Sequence, residues 1–149
     1  MSAWLQTKSW EEAKEVIARS KGVAIVPIGS VEQHSYHLPL GTDTYVAMTI
    51  AEEAAEKTGA VLTPPVWFGW SPHHMVLPGT VTIRPEVLSE LTYDIIESLN
   101  AHGLNKIILI NGHRIVNVVW MQVCAQKAQS KLGSVSYTHL RAHETLSDL

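Results

Sequence analysis

The chain has 149 residues, enough for one domain or a piece of one and too few for two. With 46% apolar and 17% charged residues it reads as globular, not disordered. Its 11 basic and 14 acidic side chains leave a net charge of −3 with no Lys/Arg cluster, and its single Cys124 leaves no disulfide framework or cysteine-based zinc cluster.

Nucleic acid is therefore not an expected partner. No apolar run approaches the roughly 18 residues of a membrane span, and the N-terminus lacks a signal-peptide pattern. The expectation is a cytoplasmic protein with no membrane partner. Eight histidines stand against one phenylalanine. Histidine is the commonest metal ligand and the usual acid/base near neutral pH, so their placement matters.

In chain order, Ser9 and Glu12 fit a capping box, and Trp10, Ala13 and Ile17 recur at helical spacing to about Arg19. After Gly22, residues 23–28 read as a buried strand. Residues 29–43 form a polar loop punctuated by Gly and Pro. Asp43 or Thr44 can cap the next helix, where Ala47, Ile50, Ala51 and Ala54 share a face. Residues 60–63 read as a short strand and 67–80 as a loop rich in Trp, His, Gly and Pro. Pro85 suits a helix start, and Leu88, Leu91, Ile95 and Leu99 make a stripe that stops at Gly103. Residues 107–110 are a further apolar strand, and 115–131 a last helix.

Strands alternate with helices, and they read as unbroken apolar runs. That is the signature of an α/β fold, a parallel-rich sheet with helices on both faces. In such sheets ligands bind outside the carboxyl ends of the strands. The polar residues Glu32, His34 and Asp43 follow the first strand, and His113 follows a later one. This mixed carboxylate and imidazole set suits a divalent ion such as Zn or Mn. Glu32 and His34, two apart, can project to the same side of an extended segment. Asp43 has two oxygens and can bridge two ions.

The segments Ile25-Val26-Pro27-Ile28-Gly29-Ser30-Val31-Glu32-Gln33-His34, His37-Leu38-Pro39-Leu40-Gly41-Thr42-Asp43, Pro78-Gly79-Thr80 and Asn111-Gly112-His113 resemble the creatininase (creatinine amidohydrolase) family from about Gly22 to Gln126. The resemblance implies a dinuclear metal centre. It also implies hydrolysis of a C–N bond in a cyclic amide or related small molecule by a metal-bound hydroxide, and a homo-oligomer, commonly a hexamer. By matching position, Glu32 and His113 would bind one metal, His34 the other, and Asp43 would bridge them. His37 would support the ligands or face substrate, and together with His74 it is the expected catalytic pair. His73, Trp67 and Trp70 would join His74 in lining the substrate pocket.

The family's founding enzyme has a glutamate ligand where this chain has Ile115, and Ser35-Tyr36 replaces a frequent Gly-Pro. The first departure weakens creatinine as the substrate more than it weakens metal-dependent hydrolysis. The second is expected to reshape the pocket wall, and a sugar- or inositol-like ketone or lactam stays among the candidates. Residues 1–134 read as an incomplete creatininase-like domain, truncated relative to the family. Residues 135–149, with His139 and His143, resemble a translated sequencing adapter and are set aside as an artefactual tail. The alternatives are a catalytically incomplete fragment, or a metal- or ligand-binding module in which Ile115 reports a lost second metal. Structural roles are expected for His102 at its helix stop, for Cys124 and Met121 in the core, and for Trp4, Trp10 and Trp120 as packing residues. Pro78-Gly79-Thr80 is expected to be a tight turn.

Overall fold

The computed structural model describes residues 2–114 and 116–133, and the backbone alone of residues 136–137. Four parallel strands, β1 (Val23–Ile28), β2 (Val61–Leu62), β3 (Lys106–Asn111) and β4 (Ser136–Tyr137), form one sheet in the order β2-β1-β3-β4. The central pairing runs in register from Val23 opposite Lys106 to Ile28 opposite Asn111. The expectations placed on Ile115, His139 and His143 lie outside the described residues. Of the suspected tail, Ser136–Tyr137 is described, and it pairs with β3 at Ile108 and Leu109.

Both faces of β1 and β3 are covered, which is why neither strand alternates. Ala24, Val26, Ile28, Ile107 and Leu109 point to one side, where α3 (Pro85–Ala101) and α4 (Val116–Leu132) pack on each other and on the sheet. Val16 and Ile17 of α1 (Trp10–Arg19) join that layer. Ile25 and Ile110 point to the other side, against α2 (Thr42–Thr58). Burying each such Ile or Leu side chain contributes about 1.5–3 kcal/mol. The α/β architecture with helices on both faces is as expected. Cys124 and Met121 lie in the core, as do Trp4 and Trp120.

The helices also depart from the sequence reading. α1 has the expected capping box: the Glu12 amide donates to Ser9 Oγ and the Ser9 amide to Glu12 Oε2. Trp10, however, is 76% exposed and is not a packing residue. α2 begins after Gly41 with no side-chain cap, so neither Asp43 nor Thr44 caps it. Its buried stripe is Thr44, Ala47, Ala51 and Ala55, small side chains that let the helix lie close to the sheet, and Ile50 faces outward. In α3 the buried positions are Leu88, Ser89, Thr92, Tyr93, Ile96 and Leu99, which turns Leu91 to the surface. Thr92 Oγ1 is the one buried side-chain polar atom without a hydrogen-bond partner among the described residues. No described helix is long and apolar enough to cross a membrane.

Candidate metal centre

The site lies where the expectation for a parallel sheet puts it, beyond the carboxyl ends of β1 and β3. After β1 the chain turns back on itself, with the Glu32 amide donating to the Leu40 carbonyl at 2.9 Å and the Val81 amide to the Val31 carbonyl at 2.9 Å. This folds residues 30–41 into a narrow loop presenting Glu32 and His34 inward. Asp43 stands in the first turn of α2. Its approach depends on two glycines: a Cβ on Gly112 would overlap the Asp43 carbonyl oxygen, and one on Gly29 would overlap Thr44. After β3, Asn111 clamps the next turn. Its Oδ1 accepts from the His113 amide at 3.0 Å, and its Nδ2 donates to the His113 carbonyl at 2.6 Å.

Asp43 then sits between two imidazoles. Its Oδ1 is 3.0 Å from His34 Nε2, and its Oδ2 is 2.9 Å from His113 Nδ1. Glu32 Oε1 approaches His113 Nδ1 at 3.4 Å. Glu32 is 6% exposed and His113 4%. Burial alone would push the His113 imidazole down. The hydrogen bond to Asp43 and the negative charges of Glu32 and Asp43 outweigh it, with help from the Trp70 carbonyl, and hold it above its ordinary value.

The donors fit a divalent cation. Ligand atoms of Glu32, Asp43 and His113 all lie within 4.8 Å of one another. His34 adds a second argument. Its Nδ1 lies 3.0 Å from the Glu32 main-chain carbonyl, which can only accept, so Nδ1 carries the proton. In the neutral ring, Nε2 then turns a lone pair on Asp43 Oδ1 at 3.0 Å, an arrangement that a cation or a second proton must relieve. Two carboxylates and two imidazoles with this chemistry suit Zn or Mn.

Glu32, Asp43 and His113 therefore cluster, and His34 joins them through Asp43. His73 and His74 share with them a cleft of about 470 Å³, completed by residues that include Gln33, Val46 and Arg114. The two rings lie with centroids 4.0 Å apart, and His74 Nε2 is 3.7 Å from Glu32 Oε1. Other expected residues lie elsewhere. His37 is exposed on the outer part of the loop and does not line the cleft. Trp67 packs edge-on against Tyr45 at 5.6 Å, and Trp70 packs against the α3/α4 core, so neither lines the cleft. Aromatic content in a loop says nothing about which way each ring turns.

Sequence reasoning missed Asn117 as an organiser. Its Nδ2 donates to the Gly29 carbonyl at 3.0 Å, and its Oδ1 accepts from the Trp70 amide at 3.2 Å and the Trp120 indole at 3.0 Å. It thus ties α4 to both loops of the site. Gln33, Ser30 and Ser71 were likewise not singled out.

The family model for creatininase, described as creatinine amidohydrolase, matches residues 6–147. The chain belongs to the creatininase family. It is 34% identical over 111 residues to a 3-dehydro-scyllo-inosose hydrolase of Thermotoga maritima, an alignment covering 74% of this chain and 35% of that protein. It is 27% identical over 117 residues to the creatinine amidohydrolase of Pseudomonas putida, covering 75% and 45%. It is 39% identical over 97 residues to a mycofactocin precursor peptide peptidase of Mycolicibacterium smegmatis, covering 61% and 39%. The chain thus spans between about a third and a half of the length of these relatives. Among solved structures, its fold is similar to a manganese form of creatininase (TM-score 0.79, 23% identity, 93% of this chain and 58% of that one). It is equally similar to a zinc–zinc form of a creatininase variant (TM-score 0.79, 23% identity, 94% and 58%).

Proposed function

We propose that this creatininase-family chain belongs to a metal-dependent hydrolase that cleaves a C–N bond in a cyclic amide or related small molecule. The observation that carries this reading is Asp43, whose two oxygens face His34 and His113 at 3.0 and 2.9 Å. Glu32 and His113 would hold one Zn or Mn ion and His34 a second, with Asp43 shared between them. Such ions, when bound, lower the pKa of water from about 15.7 towards 7 and polarise a scissile carbonyl.

The chain's own residues orient the His74 ring. The Ser35 amide donates to Gln33 Oε1 at 3.0 Å, which orients the Gln33 amide so that Nε2 meets His74 Nδ1 at 2.8 Å. Nδ1 accepts there, so the neutral His74 ring carries its proton on Nε2, the nitrogen on the Glu32 side. That N–H can donate a hydrogen bond to a substrate in the cleft, while the attacking water supplies the proton that the leaving nitrogen takes up as the C–N bond breaks. The hydrolases among the relatives act on chemically different molecules, and the replacements at Ser35-Tyr36 and Ile115 keep an inositol- or sugar-derived substrate beside cyclic amides. Exposed Tyr36, Leu38, Tyr45 and Met75 beside the site support a homo-oligomer for the full-length protein.

The test is turnover by the full-length protein loaded with Zn or Mn, against a panel of cyclic amides, formamides and inositol-derived ketones. Activity lost in Asp43→Ala and abolished by chelator is expected. Turnover indifferent to both would overturn the reading. A second reading, favoured by the partial coverage of the relatives, is that this 149-residue chain alone binds metal without catalysing. Its mark is bound metal with no turnover by the chain, alongside turnover by the full-length protein. One ion per chain at saturation, in place of two, would favour the binding-module alternative.

A further inference from the structure

Behind the carboxylates and imidazoles, two wholly buried serines join His113 to Glu32 by a second route. His113 Nε2 lies 3.2 Å from Ser71 Oγ, Ser71 Oγ 2.8 Å from Ser30 Oγ, and Ser30 Oγ 3.3 Å from Glu32 Oε2. The path closes through Glu32 Oε1 and His113 Nδ1 at 3.4 Å.

The chemistry of its end sets the direction of this chain. An ionised carboxylate only accepts, so the Ser30 hydroxyl donates to Glu32. Ser30 Oγ must then accept from the Ser71 hydroxyl, and Ser71 Oγ from His113 Nε2–H. The Trp70 main-chain carbonyl, 3.4 Å from the same nitrogen, can also only accept. Both neighbours of Nε2 therefore call for a proton on it, which in the neutral ring that binds metal leaves Nδ1 with its lone pair facing Asp43 and Glu32.

Close loop packing makes the arrangement. A Cβ on Gly69 would lie 2.7 Å from the Gly29 carbonyl oxygen and 3.0 Å from Ser30 Cβ, so a glycine is what allows the second loop to bring Ser71 against Ser30. The Ser71 amide is held in turn by Thr82 Oγ1 at 2.8 Å. Neither serine reaches the cleft, so neither touches substrate.

We propose that Ser71 and Ser30 are positioning residues, a directed hydrogen-bond relay that commits His113 to binding metal through Nδ1 and holds the Glu32 carboxylate in the same stroke. The inference rests on the metal-dependent reading above and adds to it which nitrogen binds and what fixes it. Partners of this kind, which accept the second N–H of a ligating imidazole, typically contribute about 10–100-fold to metal affinity.

The experiment uses the nitrogen-15-labelled, zinc-loaded protein. In wild type, His113 is expected to bind zinc through Nδ1 and to carry a slowly exchanging proton on Nε2. Ser71→Ala and Ser30→Ala should each weaken zinc binding about 10–100-fold and speed exchange of that proton. Ser71→Thr, which keeps the hydroxyl, should restore both. Zinc on Nε2 in wild type overturns the relay, and so do unchanged affinity and exchange in both alanine variants. If Ser71→Ala does not fold, the wild-type nitrogen assignment decides alone. A wild-type protein that takes up no zinc sinks the metal reading, and this inference with it; zinc uptake alike in wild type and variants sinks the relay only.

Discussion

His113 and Asp43 lie 70 residues apart in the chain and meet through Nδ1 and Oδ2 at 2.9 Å. Because the other oxygen of Asp43 meets His34, removing this one carboxylate strips both halves of the site. Asp43→Ala should reduce zinc or manganese uptake by more than the roughly 10–100-fold typical of losing an indirect partner, and His113→Ala should do the same for the half shared with Glu32. Metal analysis after dialysis checks both. Uptake equal to wild type would show the ligands to be wrongly assigned.

The raised pKa of His113 gives the metal-free protein a defined pH response. A group whose folded pKa lies above its unfolded value of 6.5 contributes stability that is fully present below 6.5 and is lost as pH rises through the folded pKa. Metal binding needs the neutral ring, so its stabilisation grows as pH rises. Urea midpoints measured across pH 6 to 9 are expected to fall for chelator-treated protein relative to zinc-loaded protein. Parallel profiles would contradict metal binding at His113.

Gly112→Ala places a methyl group into the Asp43 main-chain carbonyl. Overpacking of this kind costs about 1–3 kcal/mol, and here it pushes a ligand-bearing turn away from β3. Denaturation should therefore show a loss of stability accompanied by weaker metal binding. Loss of stability with undiminished affinity would mean that α2 can shift without moving the Asp43 carboxylate.

Thr92→Val removes a buried hydroxyl that finds no hydrogen-bond partner and keeps the side-chain shape. An unsatisfied buried group of this type carries a penalty of about 1–3 kcal/mol, so the substitution should raise the urea midpoint without touching metal binding.

Cys124 is buried between α4 and the core, and burial pushes its thiol up to about 11. At pH 8 a disulfide reagent should leave the native protein unmodified and react once it is unfolded. Rapid labelling of native protein would indicate frequent opening of α4.

Much of this was legible in the amino-acid sequence because it follows from local chemistry. β1 and β3 read as continuous apolar runs since both of their faces are covered, and the ligands stand out because polar residues gather at the ends of those runs. The inward stripes of α2 and α3 were partly misread, since the buried positions use Ala, Thr and Tyr while Ile50 and Leu91 face out. A hydrophobicity pattern finds Ala47 and Ala51 but favours Ile50 over Thr44 and Ala55, because it does not register that small side chains are chosen for close approach. The serine relay was hidden for another reason. Ser30 and Ser71 lie 41 residues apart, and a serine in a loop carries no signal until the partner across the fold is known.

Asn117 has a consequence for folding order. One side-chain amide on α4 bonds the loop after β1, the loop carrying Ser71, and the helix's own Trp120. A slip of α4 by a single residue would turn that amide through about 100° and release both loops together. The ligands near the start of the chain therefore reach their final places only when a helix more than 70 residues downstream has docked. Metal capture should accordingly be a late event, reporting on the arrival of α4 and not on the assembly of the loop that carries Glu32 and His34.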